Sequence, residues 1–254
     1  MKSTWLYWLL VFFLCKKSTG LADFTVSVVN ELGNANGQNT SILDINDPSR
    51  CPIDHGIHTI QVVNLEPFEV FCDAKIAGPG WTVIARRTNG QLNFFRNWAE
   101  YKGGFGDIAG DFFIGLDKLH AITKSQNQEL YVHLEDFVGN TRYAKYDEFH
   151  IESENDQYRM SALGRFTGDA GDSLRVSQNQ KFTTYDRDND QRVNGNCAAQ
   201  QMCPWWHDSC TLSQPFGMYV DGNVENMKYK GIYWYHWGGY AYSFKAVQML
   251  VRPK

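Results

Sequence analysis

The chain has 254 residues, of which 43% are hydrophobic and 15% aromatic, and its 24 basic and 28 acidic side chains give a formal charge of −4. This length builds one large or two small domains with a buried core, and the apolar content excludes an intrinsically disordered chain. The acidic balance argues against nucleic acid and anionic membrane surfaces as partners, because both repel negative charge.

In chain order, Lys2, the apolar run at 5–15 and the small residues Ser18-Thr19-Gly20 form the pattern of a secretory signal peptide, residues 1–20, cleaved after Gly20. Lys16 and Lys17 interrupt the run well short of the roughly 20 apolar residues of a bilayer span, so no membrane span is expected. Residues 1–20 hold three lysines and no acid, so cleavage takes the formal charge from −4 to −7. Residues 21–50 are rich in Asn, Gly, Asp and Ser and read as a flexible leader, with a glycosylation acceptor at Asn39 in Asn39-Thr40-Ser41. Heptads and Gly-X-Y triplets are absent, so no coiled-coil or collagen stalk is expected.

From Cys51 onward the pattern is one of short strands and turns. Residues 81–87 alternate as a strand, and Leu130, Val132 and Leu134 alternate with Tyr131, His133 and Glu135. Gly139-Asn140 reads as a tight hairpin turn into a second strand at 143–151. Asn97 is a helix cap with Trp98 and Tyr101 on one face, and Leu116, Leu119 and Ile122 recur at helical spacing. The last 60 or so residues carry Pro, Gly, Cys and aromatics without periodicity, as loops held by cross-links and an ion do. The class is α+β around an antiparallel sheet. Cleavage removes Cys15 and leaves Cys51, Cys72, Cys197, Cys203 and Cys210, an odd number in an oxidising compartment, so at least one thiol lacks an intrachain partner.

Several blocks resemble the fibrinogen-related (fibrinogen C-terminal) domain of ficolins, tachylectins, angiopoietins and fibrinogen chains. They are Gly80-Trp81-Thr82-Val83-Ile84 with Arg86-Arg87; Asn93-Phe94 leading to Trp98, Tyr101 and Gly104-Phe105-Gly106; and Gly110-Asp111-Phe112-Phe113-Ile114-Gly115-Leu116-Asp117-Lys118. Leu134-Glu135-Asp136-Phe137, Asp186 to Asp190, Asn196-Cys197-Ala198, Trp205-Trp206 and Val251-Arg252-Pro253 follow in family order. The resemblance implies a domain over 51–254 with the fibrinogen C-terminal fold: a central antiparallel sheet, short helices, and a loop-rich, calcium-binding C-terminal subdomain that carries the ligand pocket.

The same resemblance implies the cross-links, the ion site and the ligand pocket. Cys51 pairs with Cys72 and Cys197 with Cys210; a bridge over a 21-residue separation contributes roughly 3 kcal/mol by loop closure. Asp186, Asp188 and Asp190 alternate as a hard cation's oxygen ligands do, but Gln191 and Cys197 stand where an EF-hand has Gly and Glu. From residues alone a solvated acidic turn is as good a reading; the resemblance assigns Ca2+ to Asp188 and Asp190, with carbonyls near Arg192 and Asn194. The ligand pocket maps to a cis Ser209-Cys210 bond, Thr211 where acetyl-binding relatives have His, Gln201 for an aromatic, Lys228 near a wall tyrosine, and Tyr240 as a wall. Trp237, in the aromatic run 234–240, is a further candidate contact, with packing as the competing role; Trp205 and Trp206 are read as structural. Cys203 is the leftover thiol. Exposed, it gives a disulfide-linked homodimer; a buried free thiol or a reshuffled bridge are the alternatives.

The function expected is a secreted recognition protein of the lectin type, stabilised by calcium and binding glycans or acetylated ligands in innate-immune-like recognition. The alternative is an extracellular protein ligand or modulator of a cell-surface receptor. No catalytic site is expected: Gly-x-Ser-x-Gly, His-Glu-x-x-His and phosphate loops are absent, and His207 beside Asp208 has no evident nucleophile.

Overall fold

The computed structural model describes residues 47–254. The expected signal peptide, the expected leader up to residue 46 and the expected glycosylation acceptor Asn39 lie outside the described residues. The chain runs β1 Gly56–Ile60, β2 Phe68–Asp73, β3 Trp81–Arg87, α1 Trp98–Gly103, β4 Phe105–Gly106, β5 Phe112–Phe113, α2 Leu116–Ser125, β6 Gln128–Glu135, β7 Thr141–Ile151, β8 Met160–Leu163 and β9 Phe166–Gly168. Loops then dominate, with α3 Cys197–Gln201, β10 Ser213–Gln214, β11 Gly222–Asn223, β12 Tyr233–Trp234, α4 Tyr235–Gly238 and β13 Tyr242–Ser243 before the last strand, β14 Ala246–Pro253.

The main sheet has the order β1-β2-β3-β14-β6-β7-β8, and each neighbouring pair along it is antiparallel. The final strand therefore lies mid-sheet, bonded to β3 on one side and β6 on the other, and its residues 247–251 are buried on both faces. Pro253, which has no amide to donate, falls at the strand's last position. Burial on both faces also holds for β3, all seven of whose residues are buried. The alternation at 81–87 pointed to one covered face. The second face is covered because Arg86 donates to the carbonyls of Ile108 and Gly110, at 2.6 and 2.7 Å, and Arg87 to that of Gly217, so charged side chains are held beneath loops.

Both expected helices are present. Asn97 caps α1 in a reciprocal box: its side chain accepts from Glu100 N at 2.9 Å, and Glu100 Oε2 accepts from Asn97 N at 3.1 Å. Trp98 and Tyr101 are buried beneath it. Leu116, Leu119 and Ile122 face the core from α2, as their spacing requires. The link after α1 is tight. At Gly104, with φ of 90°, a Cβ would lie 2.5 Å from the Ile114 carbonyl oxygen, so the Gly-Phe-Gly block is a close approach of two backbones. The β6–β7 connection differs from the tight turn read at Gly139-Asn140. It is a five-residue loop, 136–140, organised by Asp136, whose carboxylate accepts from the amides of Val138 and Asn140 and the Asn140 side chain. No helix among the described residues is long and apolar enough to cross a membrane.

Candidate functional site

The described chain has two disulfides: Cys51 to Cys72, with Cα atoms 5.5 Å apart, and Cys197 to Cys210, 5.6 Å apart. The first ties the start of the domain to the β1–β2 hairpin; the second ties α3 to the loop that floors the candidate pocket.

The aspartate-rich turn sits directly before that second bridge. Asp186 looks away from the turn, accepting from Trp98 N at 3.0 Å and Thr184 Oγ1 at 2.7 Å, so it caps α1 across 88 residues of sequence. Asp190 holds the turn: its Oδ1 accepts from Arg192 N at 2.9 Å and its Oδ2 from Cys197 N at 2.7 Å. Asp188 is exposed and its Oδ1 accepts from Asp190 N at 3.4 Å. Burial raises the Asp190 pKa, the two amides pull it back, and the neighbouring Asp188 charge adds to the rise. Among the described residues neither carboxylate has a Lys, Arg or His nitrogen within ion-pair reach. Two adjacent acids without a counter-charge, on a loop of exposed residues at Arg192 and Asn194, are a donor set that fits a hard, oxygen-preferring cation. The one compact cluster of other metal-ligand types among the described residues, Cys197, His207 and Cys210, has both sulfurs in the disulfide.

The turn is joined to the pocket floor: Gln191 N donates to Asp208 O at 3.0 Å, and the Arg192 guanidinium lies 3.7 Å from Cys210 Sγ. The Ser209–Cys210 peptide bond is cis. A cavity of about 290 Å³ opens here, lined by Arg192, Gln201, the segment 209–211, Tyr229 and Tyr240. A second, of about 160 Å³, shares residues 209–211 and Tyr240. Tyr240 is the hub of four tyrosines, with ring centroids 4.5 Å from Tyr235, 4.6 Å from Tyr229 and 5.4 Å from Tyr233. Tyr233 is fully buried and its hydroxyl lies 3.3 Å from Thr211 O and 3.4 Å from Gln201 Oε1, whereas Tyr229 and Tyr235 are about two-fifths exposed. Burial, then the neighbouring tyrosines, raise the Tyr240 pKa, so the ring presents a neutral hydroxyl at neutral pH.

Several sequence assignments are corrected here. Lys228 is not a wall residue: it is exposed, its ammonium 5.3 Å from the Tyr229 ring, and Tyr229 is the wall one position later. The pocket therefore keeps a wall tyrosine at this place. Lys228-Tyr229-Lys230 carried that signal, but in a loop without periodicity the register slips by one. Trp237 stays out of the pocket, packed on Phe244 at 4.5 Å with the Arg142 guanidinium 5.0 Å from its ring. Thr211 lines the pocket but is 8% exposed, with its hydroxyl donating to Ser213 O at 3.0 Å. It closes its own turn instead of reaching outward. Trp205 and Trp206 are buried in the aromatic core, as packing residues are.

The exposed Cys203 that an intermolecular bridge requires is not found. Its side chain is fully buried, and burial pushes the thiol pKa well above its ordinary value, so no thiolate is presented to a second chain. The buried free thiol is the arrangement found. His207 is buried too, with Nε2 2.7 Å from Cys203 O and burial lowering its pKa to about 4. An imidazole so enclosed does not act as a surface base beside Asp208.

The family model described as the fibrinogen beta and gamma chains, C-terminal globular domain, matches residues 52–254. Human angiopoietin-4 is 43% identical over 200 residues, 78% of this chain and 39% of the relative; bovine fibroleukin is 42% identical over 200 residues, 74% of this chain and 45% of the relative. The chain thus spans about two-fifths of the length of these relatives. Among solved structures, the fibrinogen-like globe domain of human ANGPTL2 superposes with a TM-score of 0.76 at 39% identity, covering 79% of this chain and 93% of that one. Lamprey fibrin D-dimer, complexed with the peptide Gly-His-Arg-Pro-amide, superposes with a TM-score of 0.75 at 31% identity, covering 86% and 78%.

Proposed function

The chain belongs to the fibrinogen C-terminal domain family, and from that premise we propose that it is a secreted, non-enzymatic protein ligand or modulator of a cell-surface receptor, docking through the tyrosine patch of Tyr229, Tyr235 and Tyr240. The observation that carries this reading is the exposed aromatic pair flanking a hub tyrosine over a floor braced by a disulfide. Tyrosine rings give large contact area with little entropy to lose, which is why they concentrate at protein interfaces. The similarity to angiopoietin-4 and to the ANGPTL2 globe favours a protein partner over a sugar. The lamprey relative, bound to a short peptide, supports a peptide segment as what such a domain accepts. Thr211 favours it as well, since a hydroxyl closed on its own backbone offers nothing to an acetyl group.

Calcium belongs to this proposal as the brace of the turn, held by Asp188 and Asp190 with carbonyls near Arg192 and Asn194. When bound it supplies the counter-charge those acids lack. A glycan-binding, lectin-type role keeps one specific support, the aromatic wall completed by Tyr229.

The test is binding of the purified domain to cell surfaces by flow cytometry, after trypsin or after a glycosidase mixture, alongside a glycan array with and without EDTA. Loss of binding after trypsin alone, with a blank array, supports the protein-ligand reading. EDTA-sensitive array binding to N-acetylated sugars replaces it with the lectin reading.

A further inference from the structure

A second cleft, sharing no lining residue with the tyrosine-walled pocket, lies between residues 90–95 and 216–219 and has a volume of about 240 Å³. Arg87, the last residue of β3, lines it and is only 2% exposed. Its guanidinium stacks 4.4 Å from the Phe94 ring and donates one bond, from Nη1 to Gly217 O, while Nε is buried with no acceptor among the described residues. No carboxylate among the described residues is in ion-pair contact with it. Asp111, whose charge it feels, uses Oδ1 to accept from the Thr88 amide and hydroxyl, both at 2.8 Å. Burial lowers the Arg87 pKa to about 10, which leaves it cationic at neutral pH.

A buried guanidinium with free donor capacity is costly unless an anion meets it, and its planar fork matches a carboxylate. Arg87 is the cleft's only charged lining residue, so the site holds one negative charge and not a phosphate or sulfate ester that wants several cations. The remaining walls are mostly apolar: Leu92, Phe94, Phe95, Met202, Phe216 and Met218. The rim is set by Gly90, where an added Cβ would lie 2.4 Å from the Tyr219 ring.

We propose that this cleft binds a small apolar carboxylate, its acid group against Arg87 and its hydrocarbon body against Leu92, Phe95 and Met202. The site is formed by main-sheet and loop residues that the tyrosine patch does not use, so it binds independently of the receptor-docking role.

The test titrates 3-phenylpropanoate and, separately, its amide into the whole 15N-labelled protein and follows backbone amide shifts. The acid is expected to move Gly90, Gly217 and Met218, with at least tenfold weaker binding of the neutral amide. Met202→Trp, which fills the cleft and leaves Arg87 in place, is expected to abolish the shifts while Tyr240→Ala leaves them unchanged. Arg87→Lys, keeping charge without the fork, is expected to weaken the acid severalfold. Equal shifts from acid and amide, no shift from either, shifts that persist in Met202→Trp, or shifts centred on Tyr229 and Tyr240 would each overturn the proposal.

Discussion

Acid should loosen this domain through His207. The imidazole is fully buried, bonded through Nε2 to the Cys203 carbonyl, and Nδ1 has no partner among the described residues. Its folded pKa is lowered to about 4, against an ordinary value of 6.5, by burial. The unfolded chain therefore takes up the proton first, and stability falls as pH drops from about 6.5 to about 4, with no further loss below that. The gap corresponds to about 3 kcal/mol, at 1.36 kcal/mol per pKa unit. For a unit of this size that amounts to a drop of roughly 6–12 °C in Tm. The assay is thermal unfolding followed by tryptophan fluorescence between pH 4 and 7.5 in EDTA, for the native protein and for His207→Gln, whose amide can still donate to the Cys203 carbonyl. Other groups titrate in both proteins, so the informative quantity is the difference between the two curves. The stability of the native protein relative to the variant should fall by the stated amount across the window, and a difference that stays flat from pH 7 to 4 refutes the argument that this side chain is held neutral.

Three further outcomes follow from the site. Asp188→Asn and Asp190→Asn should each weaken calcium binding by tenfold or more in calorimetry, while Asp186→Asn, which caps α1, should leave calcium affinity intact and cost about 1 kcal/mol of stability. Cys203 should not react with a thiol reagent until the protein unfolds, and non-reducing and reducing gels should both run this chain as a monomer; rapid native labelling contradicts its burial. Tyr240→Ala should reduce cell-surface binding by roughly 2 kcal/mol, about thirtyfold, as a central aromatic anchor does, with Tm changed little because the ring is partly exposed.

What could be read from the sequence was what is local. The Asn97–Glu100 box and the Leu116, Leu119, Ile122 stripe are settled by residues three or four apart, and both helices stand where those patterns put them. The pairing of β14 between β3 and β6 joins positions more than a hundred residues apart, and no periodicity carries that. The same distance hid the role of Asp186, whose partner Trp98 lies 88 residues away, and the full burial of Cys203. Alternation at 81–87 announced a strand but not that Arg86 and Arg87 lie inside, because loop carbonyls of residues 108, 110 and 217 take their donors. The slip from Lys228 to Tyr229 has the same origin: where backbone geometry is irregular, one residue changes which side chain faces the cavity.

The candidate site behaves as one joint. Asp190 holds the amide of Cys197, Cys197 is bonded to Cys210, Cys210 and its neighbours floor the pocket under Tyr240, and Gln191 ties the turn back to Asp208. Each link is short in space, and each connects a segment with almost no regular secondary structure of its own. In such a region a side chain's position depends on the cross-links, since few ladder hydrogen bonds resist displacement. A cation at Asp188 and Asp190 would therefore act on the docking surface without touching it, by holding the far end of the segment from which the pocket floor is built. The same reasoning explains why the tyrosines can stand partly exposed: the rigidity that presents them comes from beneath, through Tyr233 and the disulfide, and the outer rings are left free to meet a partner.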